Sequence, residues 1–156
     1  MKKYLKPALL MAWMSVIFFM SGQSGAESSN TSNMVIFLMM GVLKVFFPEG
    51  LPFDEAAFIA TFAQPVRKLA HFSEYLILGI LMVMNIKDLK RDKAVIISTV
   101  LCTLYAMTDE VHQLFVPNRY CSLMDMLLDT AGSITGIVLY HLFAKDEKHN
   151  DITHTS

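Results

Sequence analysis

The sequence predicts an all-α integral membrane bundle of four transmembrane helices, and three observations support that fold class. Hydrophobic residues make up 54% of the 156 residues and charged residues 17%, with a mean hydropathy of +0.44, whereas a soluble domain carries about 25% charged residues. Several apolar runs are as long as a span requires, which is about 20 residues of helix. A dense group of ionisable residues, within residues 109–129, lies between two of those runs.

The first predicted span covers residues 4–22, an apolar run that begins among Lys2, Lys3 and Lys6. The same pattern is typical of a secretory signal peptide, in which a basic end and an apolar core precede a small-residue cleavage site such as Ser24-Gly25-Ala26. Both interpretations fit the local sequence. We favour a retained helix because the remaining topology needs an even number of spans.

The segment between the first and second spans predicts no further crossing. Residues 21–33 are polar and predict a loop. Residues 34–47 are apolar but contain Lys44 and are short for a span, so they predict an interfacial or re-entrant helix. Asp54 is expected to cap a short surface helix at residues 55–62.

The rest of the chain predicts three further spans and a charged tail. Pro65 fits the first turn of the next helix, and Pro117 ends the helix before it because the residue preceding a proline disfavours the helical conformation. We expect residues 1–156 to form a single domain, with a cytoplasmic tail at residues 144–156. The three spans are predicted at residues 66–86, 94–115 and 123–143.

Basic residues predict the orientation. In a four-span arrangement, nine of the 13 Lys and Arg residues fall on one side, in the N-terminus, the loop at residues 87–93 and the tail. Because short loops rich in Lys and Arg stay in the cytoplasm, both termini of this multi-pass protein of the cell membrane are predicted to be cytoplasmic. The polar residues of the helices then lie toward the outer leaflet.

Polar residues at helical spacing predict a site where the outer ends of the spans meet. Arg67, His71 and Glu74 share one face of the second span, and the third span offers Asp109 and Glu110. Ionisable groups at membrane depth cost several kcal/mol of free energy unless they are paired or hydrated, so this density predicts a functional site.

The fourth span carries Asp125 and Asp129 on one stripe with Gly132 and Gly136. Gly132-x-x-x-Gly136 is a small-residue motif that lets a neighbouring backbone approach closely. We therefore expect this stripe to face the second span near Gly79 rather than lipid. Asp125 fits a helix N-cap equally well.

Candidate roles follow from side-chain chemistry. His71, Glu74, Asp109 and Glu110 are the candidates for acid–base catalysis, since these side chains exchange protons. A structural pair of His71 and Glu74 is the alternative. Arg119 is expected to pair with one of the three carboxylates, because its planar guanidinium suits carboxylates and anionic ligands. The candidate binding residues are Arg67, Gln113, Arg119, Asp125 and Asp129.

Metal, redox and nucleic-acid partners find little support. His71-x-x-Glu74 with carboxylates from two other helices offers ligands of the kind seen in helix bundles, but no dense Cys and His spacing accompanies it. We assign no metal and leave the cofactor open. Cys102 in mid-span and Cys121 in a loop do not predict a disulfide framework. A net charge of −1 without a basic block predicts no nucleic-acid partner; the expected partner is the lipid bilayer.

Motifs spread over nearly the whole chain combine into one pattern. They are Arg67-Lys68-x-x-His71-Phe72-x-Glu74-Tyr75-x-x-Leu78-Gly79, Asp109-Glu110-x-x-Gln113-x-Phe115-x-Pro117-x-Arg119, Asp125, Gly132-x-x-x-Gly136 and Ser21-x-Gln23. In this combination the chain resembles the VanZ-like family of bacterial membrane proteins, and the Ser21-x-Gln23 match favours a retained first helix. Asn118 stands where that family usually has Gly, and Asp129 where Asn is common.

The resemblance implies a cell-envelope location, and the family's namesake is associated with resistance to the glycopeptide teicoplanin. The first hypothesis is a protein whose outward polar site binds an envelope component, either a lipid headgroup or a cell-wall component. The second is a membrane-embedded enzyme that acts on a lipid- or wall-linked substrate through the His and carboxylate cluster. A small transporter ranks lowest because the polar residues do not continue past the midplane.

Overall fold

The computed structural model describes residues 2–86 and 88–153, and within them the side chains of residues 4–86 and 88–144. Every regular element in this part of the chain is an α-helix, as predicted. By length and composition all five helices could cross a membrane, which is one candidate more than the four spans predicted. The helices are α1 (Lys2–Ser21), α2 (Gly25–Phe46), α3 (Glu55–Ile86), α4 (Arg91–Gln113) and α5 (Leu123–Thr153).

α2 replaces the loop predicted at residues 21–33 and the interfacial segment predicted at residues 34–47. A capping box closes its start: the Ser24 side chain accepts a hydrogen bond from the Glu27 N–H, and the Glu27 carboxylate accepts one from the Ser24 N–H. Three hydroxyls of the polar stretch donate to carbonyls four residues earlier. Inside the helix these hydroxyls are therefore satisfied by the preceding turn. They belong to Ser29, Thr31 and Ser32.

α3 continues through Pro65, where the sequence predicted a surface helix at residues 55–62 and a separate span at residues 66–86. Asp54 Oδ2 accepts a hydrogen bond from the Ala57 N–H at 2.8 Å, which confirms the predicted cap. Pro65 removes one backbone donor, but its ring holds φ near the helical value. With 32 residues, α3 is about 48 Å long, which exceeds the roughly 30 Å hydrocarbon core of a bilayer.

α1 and α2 lie one after the other along α3, and each runs antiparallel to it. α1 packs beside the C-terminal half of α3, where Trp13 Nε1 donates to the Glu74 carbonyl at 2.9 Å. α2 packs beside the N-terminal half, where Lys44 Nζ lies 2.8 Å from Glu55 Oε1. α2 is therefore displaced along α3 from the level of α1. We call α2, residues 47–54 and residues 55–66 together the α2–α3 hairpin.

α1 and α4 run parallel to each other. The Tyr105 hydroxyl donates to the Met14 carbonyl at 2.7 Å, and Gln113 Nε2 donates to Ser21 Oγ at 3.1 Å. Since α1 and α3 are antiparallel, the start of α1, the end of α3 and the start of α4 lie at one end of the bundle. The loop at residues 114–122 lies at the other end.

α3 and α5 meet backbone against backbone and run parallel. A Cβ added at Gly132 would overlap the carbonyl of Phe72, and one added at Gly136 would overlap that of Leu76. A Cβ at Gly79 would in turn overlap a backbone carbonyl of α5. The predicted small-residue face of the last helix is therefore confirmed, together with its partner.

An apolar core fills the space between α1, α3 and α4. It contains Ile17, Tyr75, Leu78 and Cys102, all fully buried. Cys102 is a free thiol in this core, whereas Cys121 is a free and exposed thiol in the loop at residues 114–122. The two cysteines lie in different environments, as the sequence indicated.

Two helix ends differ from the predicted spans. α4 begins at Arg91 and ends at Gln113 instead of covering residues 94–115. α5 continues to Thr153 and includes much of the predicted tail at residues 144–156. Hydropathy marks only the apolar part of a helix, whereas the Ala, Lys and Glu residues of this tail are good helix formers.

The displacement of α2 gives a testable topology. A reporter active only in the cytoplasm is expected to give signal after Lys90 and after Thr153, and none after Gly50 or Asn118. The reason is that α1 and α4 both end at the side of the bundle opposite the N-terminus, and the hairpin lies at that same side. Signal after Gly50 would instead mean that α2 crosses the membrane as a span of its own.

The contact between α3 and α5 gives a second prediction. Gly136→Leu is expected to lower the stability in detergent by about 1–3 kcal/mol, which is the usual cost of overpacking, as measured by a lower Tm. Gly41→Leu is the matched control, because a Cβ at Gly41 meets nothing within 4 Å. Equal Tm values for the two variants would show that the helices separate at no cost.

Candidate functional site

The residues predicted to form a site come together where α4 ends and α5 begins. A cavity of about 350 Å³ lies between the start of α2, the middle of α3, the loop at residues 114–122 and the start of α5. Glu74, Asp109 and Asp129 belong to a second group that does not line this cavity. The predicted residues that do line it are Arg67, His71, Glu110, Gln113, Arg119 and Asp125.

Two guanidinium groups at the cavity have no acidic partner among the side chains that the structure describes. Arg67 donates to the side-chain oxygen of Gln64, and Arg119 Nε donates to the Gln23 carbonyl at 3.3 Å. Among the described side chains, no carboxylate oxygen lies within 4.0 Å of either guanidinium. The predicted ion pair between Arg119 and a site carboxylate is therefore wrong. The loop places Arg119 across the end of α1, where it meets a carbonyl.

Arg119 lies in the loop outside the helices and stays charged. Burial is the main cause that lowers its pKa, and the like charge of Arg67 lowers the pKa further. A guanidinium has an ordinary pKa above about 12, so it remains protonated at neutral pH. The two arginines therefore repel each other, and an anion between them would remove that repulsion.

The third basic side chain of the cavity is paired. Lys68 Nζ lies 2.8 Å from Asp125 Oδ1, and both side chains are partly exposed. Such a pair contributes about 0–1 kcal/mol, so a ligand can displace it at little cost. Asp125 does not act as the N-cap, because Ser122 Oγ accepts the hydrogen bond from the Asp125 N–H at 3.2 Å.

The loop at residues 114–122 is tied to two helices. The Gly25 N–H donates to the Pro117 carbonyl at 3.3 Å, which joins the loop to the start of α2. Glu110 Oε2 accepts a hydrogen bond from the Ser122 N–H at 2.6 Å, which joins it to α4. Asn118 has φ 58°, a left-handed conformation that Asn adopts more readily than most residues.

A buried acidic cluster lies next to the cavity. Asp109 is 3% exposed and Asp129 1% exposed. His71 Nδ1 lies 3.8 Å from Glu74 Oε2, and one donor atom from each of His71, Asp109 and Asp129 lies within 4.8 Å of the other two. The residues predicted on three different spans thus converge, with His71 at the boundary between cavity and cluster.

Gln113 connects this cluster to α1. Its Nε2 atom donates to Ser21 Oγ at 3.1 Å and to Asp109 Oδ2 at 3.4 Å. All three residues are buried. Gln113 therefore positions the Asp109 carboxyl and the end of α1, in addition to lining the cavity.

The sequence interpretation missed the contribution of α2. Gly25 and Ser29 line the cavity, as does Gln64. The signal for α2 was present in Ser24-x-x-Glu27, which is a capping-box pattern that marks a helix start. Gln64 precedes Arg67 by one helical turn. The two share a helix only because α3 continues through Pro65, which lies between them.

Comparison with known proteins places this arrangement in a family. A family model described as VanZ/LLP1 matches residues 8–144. The chain belongs to the VanZ/LLP1 family. No curated protein and no solved structure is significantly similar to it. Family membership and the long apolar helices make it a multi-pass membrane protein, and the part matched to VanZ/LLP1 includes every residue of the cavity and of the buried cluster.

The hydrogen bond from the Ser122 N–H to the Glu110 carboxylate gives a third prediction. Glu110→Ala removes a charged acceptor, and a hydrogen bond to a charged group is worth about 1.5–3 kcal/mol. Amide hydrogen exchange at Ser122 and its neighbours is expected to rise about tenfold or more, measured by mass spectrometry in detergent. Glu49→Ala, in the exposed loop at residues 47–54, is the control. Unchanged exchange at Ser122 would contradict this role of Glu110.

Proposed function

We propose that the cavity binds the anionic headgroup of a membrane lipid or of a lipid-linked component of the cell envelope, at the outer leaflet. One observation carries the proposal: Arg67 and Arg119 face the same cavity, and neither guanidinium has a carboxylate partner among the described side chains. Arginine's planar fork matches phosphate and carboxylate groups through two parallel hydrogen bonds.

The cavity also fits this ligand in size and in donors. Ligand pockets typically measure about 300–1,000 Å³, and about 350 Å³ accommodates a headgroup rather than a whole lipid. Besides the two arginines, Lys68 supplies a further donor. Because the Lys68 pair with Asp125 is exposed and weak, Lys68 is free to exchange its partner for a ligand anion.

Exposed apolar side chains that neighbour the cavity residues in sequence favour a lipid over a free anion. Leu69 on α3, Phe115 in the loop and Leu123 at the start of α5 are exposed apolar side chains close in sequence to the cavity residues. Such side chains contact acyl chains while charged groups at the same level contact headgroups. A lipid offers both kinds of contact at once, whereas a soluble phosphate offers only one.

The protein's orientation in the membrane and its physiological role are also part of this proposal. The basic residues at the opposite end of the bundle support a cytoplasmic location of that end by the positive-inside rule, and the cavity would then open at the outer face. A binder of an envelope lipid at that face affects the supply or accessibility of cell-wall precursors. A role in susceptibility to glycopeptides such as teicoplanin belongs to this proposal and rests on the VanZ resemblance.

A second candidate function is an enzyme that acts on a lipid- or wall-linked substrate. The observation that favours it is the position of His71, which lines the large cavity and also a smaller one that contains Glu74. A histidine paired with a carboxylate next to an anion pocket has the arrangement of a general acid or base. His71→Asn distinguishes the two functions: an enzyme loses its effect on teicoplanin susceptibility while lipid binding persists, whereas a binder keeps both.

The binding test uses the full-length protein in detergent, titrated with phosphatidylglycerol and with phosphatidylcholine and observed by native mass spectrometry. The anionic lipid is expected to bind more tightly, and Arg67→Gln and Arg119→Gln are each expected to weaken its binding about tenfold or more, because each removes charged hydrogen bonds worth about 1.5–3 kcal/mol. Added salt should weaken it further.

Lys44→Gln is the matched control for loss of one positive charge. Lys44 pairs with Glu55 on the α2–α3 hairpin, away from the cavity, so phosphatidylglycerol binding should match that of the unaltered protein. If the double variant of Arg67 and Arg119 binds phosphatidylglycerol as tightly as this control does, the cavity is not the headgroup site.

A further inference from the structure

We infer that His71, Asp109 and Asp129 form a binding site for a divalent transition-metal ion, with Mn²⁺ and Zn²⁺ as the ions that suit these donors. Each residue comes from a different helix, α3, α4 and α5 respectively. One donor atom of each lies within 4.8 Å of the other two. This site borders the anion cavity through His71, and the inference does not depend on lipid binding.

The separation between the donors suits an ion placed between them. Neither His71 nitrogen lies within 4.0 Å of the Asp109 or Asp129 carboxylate, so the imidazole makes no direct ion pair with them. An ion about 2.0–2.2 Å from each donor joins atoms up to roughly 4.4 Å apart. Side-chain adjustments of a few tenths of an ångström therefore bring all three donors onto one ion.

A cation would neutralise the negative charge of the Asp109 and Asp129 carboxylates. Asp109 and Asp129 are almost fully buried, and no Lys or Arg nitrogen among the described side chains lies within 4.0 Å of either carboxylate. An isolated charge in a dry environment is very costly unless it is paired or bound to a metal. The Gln113 contact to Asp109, at 3.4 Å, is long and neutral. A divalent ion between the carboxylates neutralises both.

Orphaned oxygens supply an independent observation. The Tyr75 hydroxyl is fully buried and lies beside Asp109, to whose carboxylate it can donate a hydrogen bond. Among the described residues, one oxygen of Asp129 is buried without a hydrogen-bond partner, and one oxygen of Asp109 has no partner apart from that hydroxyl. Since nearly all buried polar groups in proteins are hydrogen-bonded, unpartnered oxygens on two neighbouring buried carboxylates indicate a ligand beside them. A metal ion with a bound water satisfies all of them together.

The donor set narrows the kind of ion. Mg²⁺ and Ca²⁺ prefer oxygen donors alone, whereas a mixture of imidazole and carboxylate suits Mn²⁺ and Zn²⁺. Soft ions need thiolates, and Cys102 lies in the apolar core instead. Glu74 Oε2 lies 3.8 Å from His71 Nδ1, on the side of the imidazole where carboxylates commonly orient metal-binding histidines.

The test is metal binding by the full-length protein in detergent after treatment with a chelator. Titration with Mn²⁺, followed by electron paramagnetic resonance, is expected to give saturable binding that Zn²⁺ displaces and equimolar Mg²⁺ does not. Mn²⁺ should also raise the Tm, because an ion that binds only the folded state stabilises it. Asp129→Asn and His71→Gln are each expected to raise the Kd for Mn²⁺ by at least about tenfold.

Two comparisons keep the result unambiguous. Glu55→Gln removes a carboxylate that pairs with Lys44 on the hairpin and should bind Mn²⁺ like the unaltered protein. Without metal, Asp129→Asn should melt at or above the temperature of the unaltered protein, because it removes an unpaired buried charge. Its loss of Mn²⁺ binding then reflects a lost ligand rather than misfolding.

The inference is overturned if the folded, unaltered protein shows no saturable binding of Mn²⁺ or Zn²⁺, or if Asp129→Asn binds Mn²⁺ with the same affinity. In either case, the infrared spectrum would show a band of a protonated carboxylic acid, and this band would disappear in Asp129→Asn. Protons, and not a metal ion, would then neutralise the cluster.

Discussion

The backbone contact between α3 and α5 is the constraint on which the site depends. Gly132 and Gly136 bring the two helices so close that neither position has room for a Cβ, and this fixes the height of each residue on one helix relative to the other. His71 and Asp129 face one another only at that height, as do Lys68 and Asp125. The wall of the cavity formed by these two helices is therefore rigid, whereas the wall formed by the loop at residues 114–122 is held by individual hydrogen bonds.

The two most deeply buried aspartates and the two arginines are separated by depth at this end of the bundle. The carboxylates of Asp109 and Asp129 are enclosed between helices, while Arg67 and Arg119 lie at the cavity. If positive groups were equally deep, they would pair with the carboxylates directly and leave neither set available. Separation keeps the arginines directed toward an anion and the carboxylates toward a cation, so that one end of the bundle holds two sites of opposite preference, with His71 between them.

The sequence predicted those features that depend on helical spacing. The stripe of Asp129, Gly132 and Gly136 identified both the helix contact and a buried acid, because residues four apart must share a face. It did not predict that α2 is a continuous helix, since hydroxyls bonded inside a helix look like loop residues in composition. Nor did it predict where Arg119 points, because that direction depends on the backbone of an irregular loop, including the left-handed residue Asn118.

The two free cysteines have a practical consequence. Cys102 is buried in the apolar core, whereas Cys121 is exposed in the loop, directly before Ser122, whose amide is bonded to Glu110. A thiol-reactive fluorophore or spin label will therefore attach to the natural protein at a single accessible position, without mutagenesis. That position is at the edge of the cavity, on the wall held by hydrogen bonds, so spectroscopy of the labelled protein can follow the entry of a ligand while every residue of the site remains unchanged.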